Sequence, residues 1–423
     1  MNIHLQNWAG NYRYQASRIH YPESLEQLQE VVKNCGKAKS VGTRHSFNHV
    51  GDTSEALISL ERLQRPYHLN PQTRQITVGG NVRYGELGSF LYEAGYALPN
   101  LASLPHISVV GACATGTHGS GLKNGNLATA VAALEFVTAD GSLLTLSRAE
   151  QPEQFAGAVV SLGGLGVAYS VTLDLRPSFD VRQLVYEQLP HTELVANFAA
   201  IMSAAYSVSL FTNWQTEAVE QVWLKQRLEN EPAQTPSPTF YQAALANADR
   251  HPILTQSAEP CTPQMGVPGP WHERLPHFKL AFTPSNGEEL QSEYFVPLES
   301  GPSAFRAIWQ LREKLGPHLF ISEIRTIAAD DMWLSPCYQR DSVAFHFTWH
   351  RDWTNVQKLL PLIEEALRPF HPRPHWGKLF TLTPAEIQAQ YKKLPAFREL
   401  LQQYDPKGKF RNVYLENYIF RTE

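Results

Sequence analysis

The chain has 423 residues, 43% hydrophobic and 18% charged, which excludes a disordered protein and leaves room for two domains with their own cores. A net charge of −4 without a long basic block excludes an extended surface for nucleic acid or anionic membrane. The four cysteines, Cys35, Cys113, Cys261 and Cys337, have neither metal nor disulfide spacing, so a reducing compartment is expected, most simply the cytoplasm.

The N-terminal run MNIHLQNWAG lacks the basic and apolar regions of a signal peptide, and none is read. Residues 22–34 carry Leu25, Leu28, Val31 and Val32 at helical spacing behind Ser24 as a cap. A short strand over 39–41 runs into GTRHSFN, residues 42–48, where Gly42 permits a turn. His45 lies in that turn between Arg44 and Ser46; it is either a surface residue or a cofactor contact. Residues 56–60 and 73–78 read as strands. From Tyr84 a helix presents Leu87, Phe90 and Leu91 on one face, and Gly95 ends it.

The run from Ser103 to Gly121, SLPHISVVGACATGTHGSG, is dominated by small residues in its second half. Exposed N–H groups of such a loop can form an anion nest, with the hydroxyls of Thr117 and Ser120 as further donors to a diphosphate. The alternative is a Gly-rich connector. Neither the G-x-G-x-x-G spacing nor a P-loop lysine is present. Strands over 130–137 and 142–146 flank Asp140-Gly141 as a hairpin. A short helix over 155–162, the Gly-rich turn SLGGLGV and a strand over 168–175 follow, and Arg176-Pro177 closes a first domain.

Beyond Ser178 strands lengthen and aromatics increase. The most apolar stretch, 194–214, is interrupted by Asn197, Ser203, Ser207 and Ser209, so a buried helix followed by a strand is expected, not a membrane span. Pro-rich patches at 232–238 and 369–374 are candidate boundaries, 232–264 reads as a long surface excursion, and 266–278 (GVPGPWHERLPHF) as rigid loop. A strand starts in 291–297, and amphipathic helices are expected over 303–315 and 356–368. Residues 371–380 read as loop, then strand. FISEIRTI, 320–327, alternates, with Ile321, Ile324 and Thr326 assigned to one side and Glu323 and Arg325 to the other. SVAFHFTW, 342–349, puts His346 and Thr348 on one face.

If those two strands are neighbours, a carboxylate, a guanidinium, an imidazole and a hydroxyl converge on one wall, with Lys378 following a glycine nearby. Such a wall suits a polyhydroxylated ligand. The other reading is two half-buried strands with polar faces in water. No G-x-S-x-G elbow supports a hydrolase, and no spacing offers a metal site.

With GTRHSFN, SLPHIS, ATGTHGSG, SLGGLGV, the Glu323–Arg325 strand, HFTW, RPHWGK and DPKGKF in this order, the chain resembles the FAD-linked oxidases of the vanillyl-alcohol oxidase fold. Within them it is most similar to the alditol (xylitol or sorbitol) oxidases, over residues 7–410 and through long phrases such as AAYSVSLFTNW. The resemblance implies an α+β protein. A PCMH-type FAD-binding domain would span 1–177. A substrate-binding cap domain, a large mainly antiparallel sheet flanked by helices, would span 178–370, and 371–423 would return to the FAD domain.

It implies FAD contacts at Gly42, Thr43, Arg44, His45, Ser46, Ser103, Ser108, Gly111, Thr115, Gly116, Thr117, His118, Gly119, Ser120, Val167 and His375, with His45 bonded covalently to the flavin 8α-methyl carbon. Thr43 and Arg44 depart from the family's small residues in GSGHSF. Ser103, Glu323, Arg325, His346, Thr348 and Lys378 match the substrate pocket, with Arg325 and Lys378 as the catalytic pair. The implied reaction is hydride transfer from an alditol C1 to flavin N5, giving an aldose, followed by reduction of O2 to hydrogen peroxide. Lys378 or a nearby group would help remove the hydroxyl proton.

A sugar-1,4-lactone oxidase or dehydrogenase on the same fold, a polyol dehydrogenase with another acceptor, and a flavin- or sugar-binding protein without turnover are the alternatives. Ala102 matches a position thought to gate oxygen and is small without being glycine, which leaves oxidase and dehydrogenase both open. A monomer without metal, nucleic-acid or membrane partner is expected.

Overall fold

Alternating apolar and polar residues make strands of much of the second half of the chain, and these strands join one sheet. A computed structural model describes residues 5–228, 235–282 and 288–421. Its largest sheet runs, in spatial order, Thr239–Phe240, Ala243–Leu245, Asp180–Pro190, Ala218–Leu228, Ser207–Thr212, Leu319–Ile327, Ser342–His350, Glu289–Pro297 and Arg373–Pro374, with Gly269–Pro270 paired to Asp180–Pro190. Every pairing along it is antiparallel. One face, including Leu210, Ile324, Tyr294 and Phe345, packs into the main core with Phe305 and Ile363 of the helices Gly301–Trp309 and Trp353–Leu367. Period two turns the other set, Phe211, Glu323, Arg325, His346, Thr348 and Glu293, toward a cavity.

Among the described residues, the first part of the chain builds three smaller sheets, the smallest being the antiparallel pair Tyr96–Ala97 and Arg176–Pro177. Arg18–His20, Ala56–Ile58 and Ala38–Ser40 form a parallel trio, with Ala56–Ile58 in the middle. Helix Leu25–Asn34 packs Leu28 and Val32 against it, and the Ser24 side chain accepts from Gln27 N at its start. His68–Asn70, Gln75–Gly79, Val167–Asp174, Val131–Val137 and Leu143–Ser147 form an antiparallel five-stranded sheet. Gly141, at φ +84°, closes the expected hairpin.

The two ends of the described chain meet on the parallel trio. Ala38 N donates to Lys409 O at 3.0 Å, and the buried Lys39 ammonium donates to Phe410 O at 3.1 Å and to Leu162 O at 2.9 Å. Asn412 Nδ2 reaches the carbonyls of His49, Val50 and Asp52. At the other end Asn7 Nδ2 donates to Ser46 O at 2.9 Å, and Trp8 N to Arg44 O at 2.8 Å.

Several expectations are corrected. Ile321 shares the face of Glu323 and Arg325 and lines the cavity with them, because residues two apart in a strand point the same way. Phe90 is 37% exposed, at the edge of the stripe set by Leu87 and Leu91, with its ring edge-on to Tyr67. The helix expected over 155–162 is Pro152–Ala158, started by proline in its first turn, and Leu162 is left-handed at φ +53°. The helix expected over 303–315 breaks into Gly301–Trp309 and Arg312–Leu315. In 371–380 the order is reversed: the strand Arg373–Pro374 comes first and loop follows. Part of the excursion at 232–264, and of the boundary at 232–238, lies outside the described residues; the rest adds two short strands to the sheet edge and brings His251–Gln256 to the cavity. Within 266–278, Trp271–Arg274 forms a helical turn with Trp271 fully buried.

Candidate active site

A strand followed by glycine, a small-residue loop and a polar sheet face are local features; the fold brings them to one cavity of about 1040 Å³. That lies at the top of the range of roughly 300–1,000 Å³ for small-molecule sites. The cavity runs from the turn over 42–47 and the stretch 108–115 to the sheet wall; within that stretch Val109–Ala114 is a short α-helix between Ser108 and Thr115, not the loop expected from its small residues.

At one end, the His45 ring stacks on the Trp8 indole with centroids 5.2 Å apart and 21° between planes. His45 Nδ1 is buried without a hydrogen-bond partner. Burial, with the charges of His106, Arg83 and Arg44 nearby, pushes the imidazole down to about 4, so it is neutral near pH 7. Arg44, at φ +59°, takes the left-handed conformation that glycine adopts at no steric cost, and its guanidinium donates to Gln6 O at 3.2 Å. The chain thus keeps a glycine-like backbone before the histidine with a larger residue.

Opposite this turn, Ser108 stands between two glycines. A Cβ on Gly42 would lie 2.7 Å from Ser108 Oγ, and one on Gly111 2.6 Å from it. A Cβ at either position would displace the Ser108 hydroxyl. Gly42, Thr43, Arg44, His45, Ser46, Ser103, Ser108, Gly111, Thr115, Thr117, His118 and His375 all line the cavity. Gly116, Gly119, Ser120 and Val167 are not among its lining residues. Gly116 packs on Pro336, and a Cβ on Gly119 would meet Leu101 O at 2.3 Å, so both glycines serve close packing behind the loop. The Ser120 hydroxyl donates to Val208 O and is spent there. The Val167 side chain is in the core beside Leu28 and Val137, while its neighbours Gly166 and Ala168 line the cavity.

At the other end lies the sheet wall. Glu323, His346 and Glu293 stand in one cross-strand row, with Phe211 beyond Glu323. Thr348 lies beside Gln291 in the next row. Arg325 Nη1 donates to Ser103 Oγ at 3.3 Å, its Nη2 to Glu293 Oε1 at 3.1 Å, and its Nε lies 3.4 Å from Glu323 Oε1. Lys378 Nζ donates to Glu293 Oε2 at 2.7 Å. His277 Nε2 lies 2.7 Å from Glu323 Oε1, which assigns the proton to that nitrogen. Burial opposes charge on Glu323, but the Arg325 guanidinium and the proton donated by His277 outweigh it and hold the carboxyl below its usual range. Burial, helped by Lys378, pushes His346 down to about 3, and its Nε2 has no partner.

Ser103, Glu323, Arg325, His346, Thr348 and Lys378 are therefore together on one wall. Glu293 and His277 were not singled out from the sequence. Gln291 and Glu293 repeat the i, i+2 polar pair that marked the other strands, a signal that was available. His277 sits in an irregular loop, where no periodicity points to it. Among the described residues, no group of three His, Cys, Asp or Glu could hold a metal ion.

Residues 16–147 match a family model described as an FAD binding domain, and residues 279–418 one described as D-arabinono-1,4-lactone oxidase. Over 422 residues the chain is 46% identical to an alditol oxidase from Streptomyces sp. (strain IKD472 / FERM P-14339), covering 99% of this chain and 100% of the relative. The chain belongs to the alditol oxidase family. It is more distantly similar to lactone oxidases: an L-gulonolactone oxidase from Scyliorhinus torazame is 25% identical, with 99% of both chains covered. The chain's fold is also that of a cholesterol oxidase from B. sterolicum, at TM-score 0.80 and 13% identity, covering 98% of this chain and 96% of that one. The matches make this alditol oxidase family member an FAD-dependent oxidoreductase. The residues present fit that group, since an unpartnered buried imidazole nitrogen and a cradle that a Cβ would fill line the same cavity.

Proposed function

We propose that the protein oxidises the terminal C1 hydroxyl of an alditol, such as xylitol or sorbitol, to the aldose with O2 as electron acceptor. One observation carries the reading: a polar wall of the buried Glu323, Arg325, His346 and Thr348, with the largely buried Lys378 beside them, closes the same cavity that His45 and Ser108 enter. When bound, FAD supplies the two-electron oxidation at carbon and returns the electrons to O2 as hydrogen peroxide.

The cofactor would be held by residues 42–46, Ser103, Ser108, Gly111, Thr115, Thr117, His118 and His375. The reading includes a covalent bond from His45 to the flavin; a neutral imidazole with a free nitrogen lone pair supports it. Arg325 and Lys378 donate to the C1 oxygen and stabilise the negative charge that develops as its proton leaves. Lys378, bonded to a carboxylate, acts as a donor, and the neutral His346 offers its unpartnered Nε2 as a hydrogen-bond acceptor for a substrate hydroxyl on the same wall. A hydroxyl donating to that nitrogen would also remove the cost of an unsatisfied buried acceptor. Glu323, Thr348 and Ser103 hold the remaining hydroxyls.

The domain division at 1–177, 178–370 and 371–423 belongs to the same reading, supported by the bonds from Ala38 and Lys39 to Lys409 and Phe410. So does a cytoplasmic monomer without nucleic-acid or membrane partners, supported by the net charge of −4 and by four buried free cysteines. No described helix is long and apolar enough to cross a membrane.

The test is a visible spectrum of the purified protein without air, before and after adding xylitol or sorbitol. Bleaching that reverses on admitting air is expected. Bleaching that air does not reverse makes the protein a dehydrogenase. Bleaching only with a sugar 1,4-lactone favours the second reading, which the match of residues 279–418 supports.

A further inference from the structure

The wall contains a carboxylate that the reaction above does not use. Glu293 is fully buried on the strand Glu289–Pro297, directly beside His346. Its two oxygens accept from three groups: Oε1 from Arg325 Nη2 and from His118 Nε2, each at 3.1 Å, and Oε2 from Lys378 Nζ at 2.7 Å. A carboxylate in an apolar interior is costly unless paired and hydrogen-bonded. Burial here raises the cost of the charge, and Lys378, His118 and Arg325 together outweigh it.

Arg325 comes from the strand Leu319–Ile327, and Lys378 from the loop after Arg373–Pro374. Two cations converging on one point repel each other, and Glu293 lies between them, bonded to both. We propose that Glu293 is the positioning residue of the polyol site, holding the Lys378 ammonium and the Arg325 guanidinium in place as the two donors to the reacting hydroxyl. The inference rests on alditol oxidation at this wall.

The consequence for pH follows from the groups around Lys378. Glu293, Arg325 and Glu323 face it, as do His346 and His375. His118 faces Glu293 from the small-residue loop. Burial, with Arg325, lowers the proton affinity of Lys378, while Glu293 and Glu323 raise it. Removing the Glu293 charge removes a raising influence, so Lys378 loses its proton at lower pH.

The experiment measures kcat and KM for xylitol from mildly acidic to alkaline pH, in the FAD-loaded wild type and in Glu293→Gln, with FAD content and Tm recorded for both. The Gln variant is expected to retain FAD and to lose at least about tenfold in kcat near neutrality. Its KM changes less, and its alkaline limb moves about one pH unit or more toward acid. Glu293→Asp, with the charge on a shorter arm, falls between the two. A Gln profile that superimposes on the wild type overturns the proposal, whatever happens to Tm. If Glu293→Gln does not fold with FAD, Glu293→Asp decides in the same way: a lowered kcat with an acid-shifted limb supports the role, and an unchanged profile overturns it. A wild type that turns over no polyol fails the functional reading itself, whereas wild-type turnover with unaltered variants sinks only the role of Glu293.

Discussion

The His45 imidazole lies against the Trp8 indole, nearly parallel and 5.2 Å away, so the N-terminal segment backs the ring that faces the cavity. Such an aromatic pair contributes about 0.5–1.5 kcal/mol beyond its buried area. Trp8→Ala is expected to release the ring from its orientation and lower the fraction of flavin that stays with the protein on acid precipitation. Trp8→Phe restores most of it. His45→Ala leaves all the yellow colour in the acid supernatant. Covalent retention unchanged in Trp8→Ala would remove the indole from any part in attachment.

Arg325→Leu takes one cation from between two buried carboxylates. Polyol turnover should fall by about a hundredfold or more, and FAD content should stay near that of the wild type, since Arg325 belongs to the sheet wall and not to the 42–46 turn. Breaking a buried pair costs about 3–5 kcal/mol, so Tm falls as well. Steady-state kinetics beside the flavin absorbance of the purified variant check this, and near-normal turnover would sink the assigned role.

Stability should decline in two separate pH windows. His277 and His346 are neutral in the fold, pushed down by burial to about 4 and about 3. The unfolded chain takes up protons on both near the ordinary histidine value of 6.5, so stability falls as pH drops below 6.5, by up to about 1.4 kcal/mol per unit for each. Glu293 and Glu323 are held low, so their contribution is full above the ordinary value of 4.5 and is lost only below it. Tm measured between pH 7 and 5 should therefore drop already, through histidines alone. In His346→Gln the slope in that upper window becomes shallower.

Arg44 holds a left-handed backbone for which it has no intrinsic preference, at a cost of order 1–3 kcal/mol. Arg44→Gly is expected to leave the free energy of unfolding within about 1 kcal/mol of the wild type, the lost bond to Gln6 offsetting the relief, and to keep the flavin. Arg44→Val, β-branched at the same φ, should lower both Tm and FAD content. Thermal unfolding and the ratio of flavin to protein absorbance distinguish the two.

Much of the wall was legible because strand geometry is local: Glu323 with Arg325 and His346 with Thr348 declare a shared face through a spacing of two. What placed those faces side by side is register, set by residues far along the chain, and there the sequence is silent. The same limit hid Glu293, whose strand joins the wall from the other side of His346, and His277, which reaches Glu323 from an irregular loop. The small-residue run was legible as a unit but not residue by residue. Gly111 leaves room at the cavity, whereas Gly119 leaves room for the carbonyl of Leu101, and composition alone does not separate those uses. Ile321 needed only parity to be placed correctly.

The bonds from Ala38, Lys39 and Asn412 across the whole length of the chain bear on when the protein becomes functional during its manufacture. The strand that leads into the His45 turn is fastened by the carbonyls of Lys409 and Phe410, and the Val50 region by Asn412. The cavity floor is thus incomplete until residue 412 has left the ribosome, and these late, distant contacts carry the loop-closure cost that slows folding. Flavin capture is therefore expected only once residues 409–412 are in place, and a chain cut short before them should be colourless.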